Sequence, residues 1–280
     1  MPGLPCCIVS GFLKSIINPL AVAELNEVFH NTSPFPSMVL DDFLDKDFAH
    51  AVAGAYPSYA QARSMGREFS AVNERFKIQV TEPSKFPVDV KRLADEICGA
   101  SFISQLESIT GIQNLVPDPR FLGGGMHITG AGGRLDVHVD FNFDEELGLH
   151  RRLNILIYLN EVWEDDWGGE LELWDSSVTT CKNSILPAFN RCAVFATSES
   201  SFHGVQPVRC PDGVVRKSFA AYYYTKEAPA DWDGQSHSTI FKARPSERIR
   251  KYVLMPSESF GRALAKLPQF IKKILRGLLR

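Results

Sequence analysis

From about residue 121 to residue 225 the chain is cut into short β-rich runs by Gly, Pro, Asn and Asp. The runs fall at 125–129, 134–143, 152–160, 169–174, 184–186, 192–197, 205–209 and 216–224. Segments this short and this regularly interrupted predict an antiparallel barrel or jelly roll. Helical spacing precedes them. Phe48, Ala51, Val52 and Ala55 follow Asp41 and Asp42 and are stopped by Pro57, while Val90, Leu93, Ile97, Phe102, Ile103, Leu106 and Ile109 follow Pro87. The expected class is therefore mainly β with flanking helices (α+β), the helices packed on one sheet. A domain over 38–230 is expected to start with a short strand at Met38–Leu40, with an N-terminal extension at 1–37 and a C-terminal extension at 231–280.

Within this frame the segment Leu135-Asp136-Val137-His138-Val139-Asp140-Phe141-Asn142-Phe143 carries the strongest pattern. A strand alternates its side chains, so Leu, Val, Val, Phe and Phe share one face, and Asp136, His138, Asp140 and Asn142 share the other. His138 and Asp140 then lie ~7 Å apart along the strand, close enough for both to reach one metal ion. A third ligand has to come from another strand. His203 is the best placed of the remaining histidines, directly before the extended run at 206–209; His150 reads as a loop residue, His30 lies in the extension, His50 on the first helix and His237 in a polar tail. Two histidines and a carboxylate leave open positions on the metal, as in non-haem Fe(II) oxygenases, although zinc accepts the same donors.

A second polar face runs along 216–224. Arg216, Ser218 and Ala220 alternate with Lys217, Phe219 and Ala221. If Phe219 packs toward the helices, Arg216 and Ser218 point into the barrel, where an arginine can clasp a carboxylate through two parallel hydrogen bonds.

These residues resemble, in their order along the chain, the 2-oxoglutarate/Fe(II)-dependent oxygenases, the prolyl-4-hydroxylase-like branch above all. The resemblance rests on His138-x-Asp140, Arg152-Leu153-Asn154-Ile155-Leu156-Ile157-Tyr158-Leu159-Asn160, Trp167-Gly168-Gly169-Glu170-Leu171, Pro187, His203-Gly204 and Arg216-x-Ser218, and covers roughly residues 38–225. It implies a double-stranded β-helix (jelly roll). It also implies Fe(II) on His138, Asp140 and His203, and 2-oxoglutarate with its distal carboxylate on Arg216. His127 stands where this branch commonly has a tyrosine that touches the cosubstrate, and Asn154 where a threonine is common; both are expected to contact 2-oxoglutarate, with Ser218 beside Arg216. The reaction implied consumes O₂ and 2-oxoglutarate, oxidises an unactivated C–H and releases succinate and CO₂, with ascorbate as an auxiliary reductant. Related halogenases carry a small residue at the position of Asp140, so the carboxylate here favours hydroxylation, desaturation or ring formation over halogenation.

The substrate is not written in the pattern. A small molecule is the leading expectation, since the fifty residues after 230 are too few for the second barrel of ribosomal-protein prolyl hydroxylases. A peptide or protein proline is the alternative, and a cupin-like metal protein without oxygenase activity is a reading from another class. Substrate contacts are expected from loops at 60–86 and 144–151.

Composition excludes several classes. Thirty basic and thirty-three acidic residues leave a net charge of −3, which offers no basic face for nucleic acid. The glycine runs at 123–125 and 130–133 fit neither a dinucleotide fingerprint nor a P-loop, and no G-x-S-x-G elbow occurs. Six cysteines, Cys6 and Cys7 adjacent and the rest scattered, with no C-x-x-C, fit reduced thiols and a cytoplasmic location. The stretch 259–280 holds six basic residues, no acidic one and apolar residues near helical spacing. Such a segment suits a peripheral membrane or partner contact, or a terminal helix packed on the barrel or on the second subunit of a homodimer.

Overall fold

The computed structural model describes residues 15–247; the basic amphipathic stretch at 259–280 and Cys6–Cys7 lie outside the described residues. In chain order the elements are α1 (Val22–Asn31), β1 (Ser37–Leu40), α2 (Lys46–Ala55), α3 (Tyr59–Met65), β2 (Arg67–Ser70), β3 (Glu74–Val80), α4 (Val88–Ile97), α5 (Ala100–Thr110) and β4 (Val116–Pro117). Then come β5 (Gly125–Val139), β6 (Phe143–Asp144), β7 (Leu149–Tyr158), β8 (Leu171–Trp174), β9 (Cys181–Ile185), β10 (Cys192–Ala196), β11 (His203–Val205), β12 (Arg216–Thr225) and β13 (Ile240–Lys242).

The strands run in the order β1-β10-β7-β12-β5-β11-β8-β9, and each of these pairings is antiparallel. The fifteen-residue β5 is what makes this one curled sheet act as two layers. Its first half pairs with β12 through Gly125–Thr129, and its second half pairs with β11 at Leu135 and His138. The strands before β5 form one wall of the roll and those after it the other. This is the expected double-stranded β-helix.

Alternation decides what each wall faces. On β12 and β7, Phe219, Ala221, Tyr223, Ile155 and Ile157 point outward into one apolar core with Val52, Val90, Leu93, Ile97 and Leu106 of the helices. Phe219 is fully buried there, edge-on to Phe86 and Phe121 at 5.7 and 5.5 Å between ring centres. The neighbours of those residues point inward, where Tyr158, Leu171, Leu173, Ile185, Ala193 and Phe195 fill the space between the walls. Helix boundaries follow local chemistry. Asp45 caps α2 by accepting from Phe48 N, Pro57 forces Tyr56 into extended backbone at its end, and α5 stops at left-handed Gly111.

Four expectations are corrected. Residues 60–86 are no loop: α3 and the β2–β3 hairpin occupy most of them, and β3 extends the wall beside β5. The helical stretch after Pro87 is two helices, parted at Cys98–Gly99. The strand expected at 152–160 begins at Leu149, so His150 sits on β7. His203 opens β11 itself. In addition, Ile16, Ile17 and Phe29 of the segment read as an extension are buried in the helix-side core, and β13 of the C-terminal segment pairs with β5. Among the described residues no helix is long and apolar enough to cross a membrane, and Cys98, Cys181, Cys192 and Cys210 are free thiols.

Candidate active site

His138 and His203 face each other across the β5–β11 ladder, as registered partners. Each ring is fixed in the same way. His138 Nδ1 lies 2.9 Å from the Asp136 carbonyl oxygen and His203 Nδ1 2.9 Å from that of Ser201, so each Nδ1–H donates backward to the chain. That bond selects the tautomer whose Nε2 carries a lone pair. Both Nε2 atoms then converge on one carboxylate, at 3.5 Å from Asp140 Oδ1 and 3.4 Å from Asp140 Oδ2. Among the described residues these three form the one group of His, Cys, Asp or Glu whose ligand atoms lie within 4.8 Å of one another.

The electrostatics favour the ligating forms. Burial alone would raise the Asp140 carboxyl, but Arg151, His203 and His138 outweigh it and hold the group well below its usual range. Burial and the adjacent His138 push His203 down to about 4, so its imidazole is neutral near pH 7. Two imidazoles and a carboxylate on one side of a cavity are the donor set of an open, three-ligand metal site.

Strand alternation did not place every residue correctly. Between His203 and Val205 the register slips, Val205 facing Leu135 where even spacing would give Asp136. The extra residue on β5 is a bulge. Leu135 therefore lines the cavity with His138, while Asp136 is buried against Arg134 (2.5 Å) and Arg244 (3.6 Å). A second bulge lies where Tyr223 faces Leu153 and Tyr224 faces Arg151, skipping Arg152. It turns Arg151 toward Asp140, with Nη2 3.1 Å from Asp140 Oδ2 and its guanidinium over the Tyr222 ring at 3.6 Å. The sequence reading missed Arg151 because a bulge leaves no mark in alternation.

Asn154 occupies the same network. Its amide donates to Asp140 Oδ2 (2.8 Å), and its carbonyl oxygen accepts from Arg151 Nε and Nη2 (3.0 and 2.9 Å). The side chain expected to touch a cosubstrate is thus already committed to holding Asp140.

The same cavity is lined by Arg216 and His127, with Ser218 joined to it through Arg216. Arg216 is 3 % exposed; its Nε donates to the Gly169 carbonyl (2.7 Å) and its Nη1 to Ser218 Oγ (3.3 Å). Nη2 finds no hydrogen-bond partner among the described residues, and the Tyr158 hydroxyl beside it is likewise without one of good geometry. A buried guanidinium nitrogen with only the Tyr158 hydroxyl beside it is costly unless an anion comes to it. That is the fit expected for a dicarboxylate cosubstrate. Gly169 serves this site too: it adopts φ +76°, and a Cβ there would press on Arg216 Cδ at 3.0 Å. His127 is buried, with Nε2 3.0 Å from Gln79 Nε2 and 3.1 Å from the Gly123 carbonyl oxygen. Burial, then Lys77, hold it well below its usual pKa, so it is neutral. The cavity is lined by all seven residues singled out in the sequence except Ser218, which meets it through Arg216. Its wall also includes Lys77 and Thr129, from strands β3 and β5.

A sequence profile of the 2OG-Fe(II) oxygenase superfamily matches residues 124–224, the stretch from the start of β5 nearly to the end of β12. No curated protein matches this chain. Among solved structures, a prolyl hydroxylase from Trichoplax adhaerens in complex with a hypoxia-inducible-factor peptide is similar in fold (TM-score 0.52, 17% identity), over 73% of this chain and 90% of that one. A prolyl 4-hydroxylase from Phytophthora capsici is similar at a TM-score of 0.52 and 15% identity, over 87% of this chain and 78% of that one. The match across 124–224 spans the converging His138, Asp140 and His203 and the buried Arg216, so over that stretch the chain resembles the 2OG-Fe(II) oxygenase superfamily at the site itself.

Proposed function

We propose that His138, Asp140 and His203 hold the Fe(II), and that Arg216 binds the distal carboxylate of 2-oxoglutarate with Ser218 and Tyr158 beside it. The substrate in this reading is a small molecule bearing an unactivated C–H. The observation that carries the metal assignment is the pair of Nδ1–H···O=C bonds at His138 and His203, which leaves two Nε2 lone pairs aimed at one carboxylate.

When bound, Fe(II) with 2-oxoglutarate and O₂ supplies the oxidant that takes hydrogen from the C–H, with succinate and CO₂ as co-products. The protein's own part is orientation and exclusion of water. Arg151 and Asn154 hold the Asp140 carboxylate from behind, which leaves its other lone pairs for the metal. Phe195 braces His203 from inside the roll, with ring centres 4.7 Å apart. Leu156, Leu171 and Val205 give the cavity dry walls, and in such walls the charge of Arg216 acts at close to full strength on a carboxylate. His127 and Asn154 then act at one remove, His127 as a neutral wall residue and Asn154 through Asp140.

The test is anaerobic addition of Fe(II) and then 2-oxoglutarate to the full chain. A weak visible charge-transfer band is expected, and succinate release should follow on admitting O₂. Absence of the band at saturating 2-oxoglutarate would refute the assignment.

A further inference from the structure

A second cleft shares Asp140 with the first and does not include Arg216. Its sides are Asn142, His150, Thr197, Ser198 and Glu199 on one hand and Pro229, Asp231 and Trp232 on the other. The second group belongs to the segment after β12, beyond the residues that match the superfamily. That segment is firmly built in. Asn142 donates to Glu199 Oε1 and to the Gln235 carbonyl and accepts from His237 N, and His237 Nε2 lies 2.6 Å from Glu199 Oε2. Farther along, β13 pairs with β5 so that Phe241 faces His138, with ring centres 5.3 Å apart. The Phe241 ring thus flanks His138.

Two polar atoms of this cleft are unexplained by the fold. His150 is 6 % exposed, and its Nδ1 has no hydrogen-bond partner among the described residues; the same holds for Thr197 Oγ1. Buried polar atoms are nearly always paired, so two orphans lining one cleft beside a metal ligand indicate groups that a ligand satisfies. Their chemistry limits that ligand. A neutral imidazole nitrogen and a threonine hydroxyl suit a hydroxyl group, which both donates and accepts. Burial and Arg152 lower the pKa of His150, consistent with a neutral ring. The charges of the cleft point the same way. Arg151 is already paired with Asp140, whereas Asp231 and Glu199 place two carboxylates at the rim, the latter shared with His237. Arg152 lies within electrostatic reach of Asp231, so the rim is balanced in charge and suits neutral groups, with Glu199 able to take an ammonium. The Trp232 indole, set across His150 at 4.5 Å and 70°, adds an apolar side for a ring.

We propose that this cleft is the substrate subsite, and that it takes a small hydroxyl-bearing ring, neutral or amine-substituted, such as a sugar, cyclitol or amino sugar. This deepens the reading above and rests on it for the position of the reacting C–H beside Asp140; the binding itself does not require the metal.

The test uses the full chain, metal-free and loaded with Zn(II) and 2-oxoglutarate, with glucosamine, myo-inositol, gluconate and N-acetylproline methyl ester as probes in saturation-transfer NMR. Saturation transfer to glucosamine or myo-inositol is expected, with gluconate and the proline ester at least tenfold weaker. Thr197→Val and Trp232→Leu should each weaken the bound probe roughly tenfold while Mn(II) affinity stays within twofold of wild type. Failure of both hydroxylated probes at millimolar concentration, equal binding of gluconate, preference for the proline ester, or binding indifferent to both substitutions would each overturn the proposal. Loss of Mn(II) binding in the wild-type chain would instead overturn the metal assignment, and is read separately on the same protein.

Discussion

The Arg151 guanidinium stands 3.1 Å from the Asp140 carboxylate, both side chains being at most 12 % exposed. It is brought there by a β-bulge opposite Tyr223–Tyr224 and wedged against the Tyr222 ring. Asn154 closes the triangle by bonding both. A carboxylate side chain swings unless something holds one of its oxygens, so this triangle fixes the orientation of Asp140.

Replacing Arg151 by Met should therefore weaken Mn(II) or Fe(II) binding by roughly tenfold or more, read by calorimetric titration of the full chain. Arg151→Lys should recover only part of the loss, because one ammonium cannot bond Asp140 and Asn154 in the same fork. Unchanged affinity in Arg151→Met would show that Asn154 alone orients the ligand.

Arg216→Lys should raise the dissociation constant for 2-oxoglutarate by about tenfold to a hundredfold, the range of one lost charge-assisted bond. Its metal affinity should stay near wild type. The measurement is a 2-oxoglutarate titration of the anaerobic Fe(II) absorption band. Equal affinity in the lysine variant would place the distal carboxylate elsewhere.

His127 gives a pH signature. Its folded pKa is depressed by burial, so between its unfolded value of 6.5 and the lower folded one the unfolded chain binds a proton that the folded chain refuses. Stability due to this group is present above 6.5 and lost as pH falls. From pH 7 to 5.5 that loss is about 1 kcal/mol, and in urea unfolding His127→Asn should show a decline shallower by that amount. Parallel wild-type and variant curves would contradict it.

Arg244 lies in a buried charged cluster behind β5 and β11. Its Nη2 is 2.7 Å from Glu172 Oε2, and it also donates to the Leu135 and Val205 carbonyls. Arg244→Met strands Glu172, 5 % exposed, without its counter-ion. A loss of roughly 3–5 kcal/mol in unfolding free energy is expected, measured by urea denaturation of metal-free protein. Arg244→Met with Glu172→Leu should recover much of it; no recovery would show that the backbone bonds, and not the ion pair, are what Arg244 supplies.

Local chemistry determined a good deal on its own. Short runs broken by Gly and Pro established an antiparallel β-domain, because only strands close a core in segments of this length. Alternation around His138 and Asp140 put both on one face, and Phe219 against Arg216 set one outward and one inward. Those readings held because period-two alternation is a property of the strand itself. What it could not supply was any place where the period breaks. The bulges that carry Leu135 into the cavity, Asp136 out of it and Arg151 onto Asp140 arise from pairing with β11 and β12, strands far away in the chain. The β2–β3 hairpin was partly written in the chain, since Phe76, Ile78 and Val80 alternate with Arg75, Lys77 and Gln79, and what only the tertiary structure decided is that this strand pairs with β5. Asn154 shows the division most clearly: the chain placed it on the inner face, and only the tertiary structure decided that its partners there are Arg151 and Asp140.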